Sequence, residues 1–515
     1  MKYQAFVGGR IWTAGYWSSR PLDVLVADDR IVEVSRAGEL DAQDAEVIDL
    51  GGQLLIPGFQ DAHVHLGMGG ADLRACNLLG LQTRREVEAA ISAYAVERPE
   101  TAWIVGGGWQ QNLFVEPPTR QLLDRLVGGR RAVLYAHTRH AAWASSAAFE
   151  AAGIDEHTPD PVGGWIERDE SGRPSGMLYE QAMDLLRSAL PETDEGQRKQ
   201  NLLAAQDELL KLGITSVQDA LVGTGLGGPD YHGAYRALLR EDRLRLRVTA
   251  ALWWDIGRGV EQIPELIERR KALEAEAGSR RIIADTVKIM VDGAHLIFME
   301  REPLFEATLA LDAEGFTAHY HSYGEASTRN VLDAIEAARR AHPASRGRHH
   351  IAHLMVVAPE EFARFAPLGV TANIQGFWSD RPVMHEMLRP SRLSHDAHRR
   401  EYPFARLVAE GTRLAGGSDW PVSSADPLDA VRVATMRPVR GGTALDELDR
   451  LDIPSVLKAY TAGAAHVNGR TGVTGRIAPG FLADFAVLDR DILSGGSDAA
   501  RASVDQTWVG GTRLV

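Results

Sequence analysis

The chain has 515 residues, 44% hydrophobic and 24% charged, which is enough to bury a large core and more than one average domain needs. Its net charge of -14, with no long basic run, repels phosphate backbones and sets nucleic acid aside as a partner. No stretch approaches the roughly 18 to 20 consecutive apolar residues that cross a bilayer, Met1-Lys2-Tyr3-Gln4 lacks a signal peptide's layout, and the lone Cys76 cannot form an internal disulfide, so a soluble, cytoplasmic protein is expected, with no membrane partner.

The first fifty residues alternate short β-type runs, such as Ala5-Phe6-Val7 and Val24-Leu25-Val26-Ala27, with turns at Gly8-Gly9 and Asp28-Asp29. The C-terminus has the same texture, in Ala483–Leu488 and Thr507-Trp508-Val509, so residues 1–53 and 472–515 are expected to pair into a small β-sandwich domain. Between them, over 54–471, eight short apolar runs stand mostly before helical patterns: Leu54–Phe59, Ile214–Gln218, Arg247–Leu252, Thr286–Val291, Phe316–His321, His349–His353, Val370–Ile374 and Arg413–Gly416. Eight such units predict an α/β fold, a closed (β/α)8 TIM-like barrel. The long gap between the first and second runs predicts an inserted subdomain after the first barrel strand, at about 72–200. The glycine-rich Gly223–Gly228 lacks a Walker lysine and a complete dinucleotide fingerprint, and reads as a barrel loop.

The first run leads into Asp61-Ala62-His63-Val64-His65, where period-two alternation points both imidazoles to one face, as metal ligands or as a surface pair. Further candidates fall at the ends of later strands, where a barrel carries its active site: Lys288, His321, His353 and Asp419. Lys288 stands in the apolar Val287–Val291, where a charge is costly unless paired or neutralised; carboxylation by carbon dioxide is one escape, and a stem in the wall with its head in water is another. Asp419 reads as a ligand and proton acceptor, or as a turn residue before Pro421. His319 shares the face of His321 and reads more readily as a hydrogen-bonded core histidine than as a second ligand; His349 and His350 read as structural. Tryptophans near strand ends, with His140 in the insertion, suggest a pocket for a small apolar or aromatic substrate, and Trp109, His140 and Trp378 are its candidate contacts; core packing explains the tryptophans almost as well.

On these motifs the chain resembles the amidohydrolase superfamily, specifically the family 3 branch that includes N-substituted formamide deformylases. The resemblance is carried by Pro57–His65, Val287–Gly293, His321 with Gly324, His353, Gly417-Ser418-Asp419-Trp420-Pro421 and Ile477–Asp484. It implies His63, His65 and Asp419 on one metal, His321 and His353 on another, and a carboxylated Lys288 between them. Ala352 stands where the branch usually has glutamate, and Glu325 where aspartate is common.

The expected chemistry is hydrolysis of an amide, N-formyl or cyclic amide bond by metal-activated water, with Asp419 moving the proton and Lys288 bridging the metals. The cofactor is one or two divalent ions, zinc first by the donor set with manganese, iron or cobalt open, plus carbon dioxide if the centre is binuclear. The rivals are a noncatalytic metal-binding regulatory protein and a metal-dependent lyase or isomerase on the same barrel. Homodimerisation is a base-rate expectation.

Overall fold

The computed structural model describes residues 2–14, 21–41, 44–137, 141–161, 164–225, 228–277, 281–293, 298–379, 401–436, 449–493 and 501–515. The chain divides into two compact units, one holding Met1–His65, Gln206–Gly225 and Asp230–Val515, the other built on Leu66–Ala205.

The first unit contains eight parallel strands hydrogen-bonded in sequence order: β1 (Phe59–Val64), β2 (Ile214–Val222), β3 (Arg247–Trp253), β4 (Ile282–Met290), β5 (Thr317–Ser322), β6 (His350–His353), β7 (Thr371–Ile374) and β8 (Arg413–Gly416). Strands such as β1, β5, β6 and β7 are buried at every position, which is what a parallel sheet covered by helices requires. The helix Glu325–Ala341 between β5 and β6 shows how the cover forms. It buries Val331, Leu332, Ile335 and Ala338 as a stripe at helical spacing, and Arg339 and Arg340 in its last turn face the negative end of the helix dipole.

β8 and β1 are the two ends of the hydrogen-bonded order. The seam between them is bridged just beyond β8, where the Asp419 amide donates to the His63 carbonyl at 2.7 Å and the His65 amide donates to the Trp420 carbonyl at 2.9 Å. One strand further round, Asn373 Nδ2 donates to the Ala62 carbonyl at 2.8 Å.

The run Leu54–Phe59, expected as the first barrel strand, is divided. Leu54–Pro57 pairs antiparallel with Phe485–Leu488 in a five-stranded sheet drawn from both chain ends, and the barrel strand begins only at Phe59. Gly58 makes the break: its amide donates to the Asp484 carbonyl at 2.8 Å, and a Cβ there would lie 2.4 Å from Thr215 Cγ2. Against the five-stranded sheet stands a four-stranded one formed by Arg30–Arg36, Leu22–Ala27, Tyr3–Val7 and Glu46–Asp49, with Phe6, Val24, Leu55, Phe485 and Trp508 in the shared core. Arg247 at the start of β3 grips Asp484 through two hydrogen bonds of 2.6 and 2.9 Å, both side chains buried. A buried pair satisfied on both oxygens fixes geometry more than it adds stability.

The second unit carries a six-stranded sheet in the order Gly164–Arg168, Pro174–Glu180, Ala141–Ala144, Arg131–Ala136, Trp103–Trp109 and Cys76–Asn77. Trp109, expected to touch substrate, belongs to this unit's core. It is fully buried, packs edge-on against Phe114 and Trp143, and its indole N–H is satisfied by the Leu134 carbonyl at 2.9 Å. A ring so enclosed serves packing. His140 lies outside the described residues.

Candidate metal centre

Alternation along β1 turns His63 and His65 to the same side, where both Nε2 atoms face Asp419 Oδ1, at 3.2 and 3.0 Å. That oxygen is buried, so two imidazole nitrogens and a carboxylate oxygen meet at contact distance. Asp419 reaches them from a left-handed conformation at φ 58°, just past β8. Asp61 ties the two loops together: its Oδ1 accepts the His63 amide at 2.9 Å and the Ser418 amide at 3.0 Å, while burial pushes its carboxyl up to about 7.

His353 and Leu354 are consecutive left-handed residues, at φ 79° and 47°, ending β6 in a strained turn of the kind that persists at functional sites. The His353 ring lies 4.4 Å from that of His321 and 4.8 Å from that of His63, and both its nitrogens are buried without a hydrogen-bond partner. Trp378 is stacked on its face at 4.9 Å and 10°. His321 Nδ1 stands 3.2 Å from Asp292 Oδ1. Asp292 is itself fixed by the Tyr323 and Gly324 amides, each at 3.0 Å, and by the Ser327 hydroxyl.

Lys288, inward on β4, is 2% exposed and its amine has no hydrogen-bond partner. Burial lowers it to about 7, against the opposing pull of Asp419, and its charge reaches His63, His321 and His353. Burial first, then that charge at His63, takes His63 well below its usual imidazole value. Burial does the same at His353, followed by the His321 and His63 rings. At His321, burial also wins, against the Asp292 contact. Burial works to raise Asp419, but the His63 and His65 rings facing it hold it well below the carboxylate range. Burial thus favours the neutral ring at His63, His321 and His353, beside an anionic Asp419.

A cation fits this donor set. His63, His353 and Asp419 each offer an atom within 4.8 Å of the others, all buried. Atoms about 2.0 to 2.2 Å from one tetrahedral zinc stand roughly 3.3 Å apart, close to the observed separations of 3.0 and 3.2 Å. One nitrogen of His353 and Oδ1 of Asp419 are buried polar atoms that such an ion would satisfy.

The structure therefore gathers His63, His65, His321, His353, Lys288 and Asp419 at one end of the barrel, with Trp378 as a wall. Asp61, Asp292 and His319 complete the surroundings and carried no assigned role from the sequence as supports of these residues. Asp292 had a signal: it follows the lysine strand within the motif Val287–Gly293. His349 is bonded to Asp312 at 2.9 Å and accepts the Ala318 amide at 3.0 Å, and His350 reaches Gln218 at 2.8 Å, both within the fold. Gly225, in the glycine-rich loop, lies against the Trp253 ring, where a Cβ would come within 2.4 Å of Cδ2.

A parallel eight-stranded barrel that collects imidazoles, a carboxylate and a buried lysine at the carboxyl ends of its strands has the architecture of a metal-dependent hydrolase. The chain belongs to the amidohydrolase family, whose model it matches over residues 46–515. It is 29% identical to the N-substituted formamide deformylase of Arthrobacter pascens over 496 residues, covering 91% of this chain and 90% of that one. It is 28% identical to Protein LONG AFTER FAR-RED 3 of Arabidopsis thaliana over 495 residues, 91% of this chain and 83% of the relative. The crystal structure of an uncharacterized metal-dependent hydrolase from Pyrococcus horikoshii OT3 shares the fold, with a TM-score of 0.74 at 24% identity, covering 96% of this chain and 98% of that one. Among the described residues, no helix is long and apolar enough to cross a membrane.

Proposed function

We propose that this hydrolase cleaves a carbon–nitrogen bond other than a peptide bond, in an amide, N-formyl compound or cyclic amide of a small apolar or aromatic substrate. The observation that carries the reading is the convergence of His63 and His65 on one buried Asp419 oxygen, beside the His353 ring and the Lys288 amine, which have no hydrogen-bond partner. The similarity to a formamide deformylase supports the N-formyl class.

His63, His65 and Asp419 would hold one divalent ion and His321 and His353 a second, with Lys288 as its carbamate between them; zinc suits these donors. Such an ion brings water's pKa down towards about 7 and polarises a carbonyl oxygen. The chain's own residues do the rest. Lys288, poised at about 7, has the free amine that can add carbon dioxide, losing one proton to become an anionic carbamate. Asp419, anionic in its pocket, accepts the proton of the attacking water on a carboxylate oxygen and returns it to the departing nitrogen. Trp378, expected to touch substrate, is as fully buried as Trp109; it covers the face of His353 and keeps bulk water from it.

The test is to supply zinc and bicarbonate to the purified protein, offer a panel of N-formyl amines and cyclic amides in 18O-labelled water, and follow amine release. Incorporation of solvent oxygen into the released acid is expected. Turnover without it would assign a lyase or isomerase reaction, and tight metal uptake with no turnover across the panel would favour a noncatalytic binding protein.

A further inference from the structure

A metal-ligating imidazole is oriented by whatever its other nitrogen touches. For His321 that partner is the Asp292 carboxylate, whereas for His63 it is another imidazole: His319 Nε2 lies 3.0 Å from His63 Nδ1, with the rings edge-on at 4.7 Å and 81°. Both side chains are buried, and at 3.0 Å one of the two facing nitrogens must donate to the other. With a cation on His63 Nε2, the His63 proton belongs on Nδ1. His63 then donates and His319 Nε2 accepts, which spends that nitrogen and sets His319 apart from the ligands despite its sharing the inward face with His321.

His319 is held in turn. The His350 ring packs against it at 4.4 Å, and His350 is fixed by Gln218 Oε1 at 2.8 Å and the Arg348 carbonyl at 3.1 Å. Three strands, β5, β6 and β2, thus brace one ligand of a fourth, β1. We propose that His319 is a positioning residue: by accepting the Nδ1 proton of His63 it fixes the tautomer and ring plane that aim His63 Nε2 at the cation, with His350 and Gln218 as its backing. The inference rests on the reading of His63 as a metal ligand. It also makes the two ligand pairs unlike, because a neutral acceptor raises the basicity of His63 less than the Asp292 carboxylate raises that of His321.

The experiment titrates metal-depleted full-length protein with cobalt(II), measuring affinity by chelator competition and the ligand field by visible absorption. His319→Leu and His319→Met remove the acceptor at similar volume; His319→Gln keeps one, its amide oxygen. The apolar variants are expected to bind cobalt about 10- to 100-fold more weakly with altered bands, and His319→Gln to return to within a few-fold of the parent with the parent's spectrum. Either apolar variant that folds suffices for the comparison. Parent-like affinity and spectrum in an apolar variant would overturn the positioning role, as would a glutamine variant no better than the apolar ones. A parent protein that takes up no cobalt would instead overturn the metal reading on which the proposal stands.

Discussion

Lys288→Met should make the metal-free protein more stable while impairing the centre it serves. In the folded chain the amine sits at about 7, against an ordinary 10.5, with burial the main cause. At about 1.4 kcal/mol for each tenfold change in the proton equilibrium, that difference corresponds to an upper bound of roughly 5 kcal/mol. Because the folded value lies below the unfolded one, the unfolded chain binds more protons between about pH 7 and 10.5, and the penalty is full below pH 7 and fades as pH rises through that window. Methionine has similar length and no charge to desolvate. After allowance for the lost attraction to Asp419, a gain of a few kcal/mol is expected at pH 7, shrinking towards pH 10.5. The assay is denaturant unfolding of chelator-treated parent and variant at intervals from pH 6 to 10.5. A difference that stays constant with pH, or a variant less stable than the parent at pH 7, would refute the reasoning. Metal content measured on the same samples before chelation should fall in the variant, separating the stability of the barrel from the needs of its site.

Three further outcomes are expected. Asp419→Ala should nearly abolish turnover while much of the bound metal is retained, as measured by mass spectrometry and steady-state assay with a processed substrate. Asp292→Asn, which weakens the acceptor behind His321, should lower zinc affinity about 10- to 100-fold in chelator competition, since Asp292 touches no other imidazole of the cluster in the described structure. Gly58→Ala should destabilise by about 1 to 3 kcal/mol in denaturant unfolding because its Cβ meets Thr215 Cγ2 and Oγ1 at 2.4 and 2.5 Å; the double variant with Thr215→Ala should recover part of the loss, since the remaining approach, to Thr215 Cβ, is 3.0 Å.

The barrel is legible in the sequence because its strands are short apolar runs set between amphipathic helices, and both signals are local. The boundary at Gly58 has a local mark, the Pro57-Gly58 pair inside Leu54–Phe59, but only the pairing of Leu54 with Leu488, more than 400 residues away, reveals that the first half belongs to another sheet. The histidines and Asp419 are visible as chemistry at strand ends, yet what unites them is the left-handed backbone at His353 and Asp419, which no periodicity announces. Trp109 misleads for a related reason. A tryptophan after Gly106-Gly107-Gly108 looks like a loop residue over a pocket, but those glycines let the neighbouring backbone close in: a Cβ at Gly106 would lie 2.2 Å from the Cys76 carbonyl oxygen and one at Gly107 2.6 Å from that of Tyr135. His319 is legible as a hydrogen-bonded core histidine and Asp292 stands in the lysine-strand motif, but the residue that each of them, or Asp61, supports is brought to it by the sheet or by a loop.

The closure of the barrel bears on how the protein withstands loss of its ion. The seam between the last strand and the first is fastened through the backbones of His63, His65, Asp419 and Trp420, and three of those residues also turn their side chains to a common point. An ion seated there works as a rivet, joining chain segments that lie over 350 positions apart. Filling the site and locking the cylinder become one event, and the free energy of binding is added to that of the closed form. The slowest-exchanging amides on withdrawal of metal should then lie away from the seam, with those of Asp419 and His65 among the first to open.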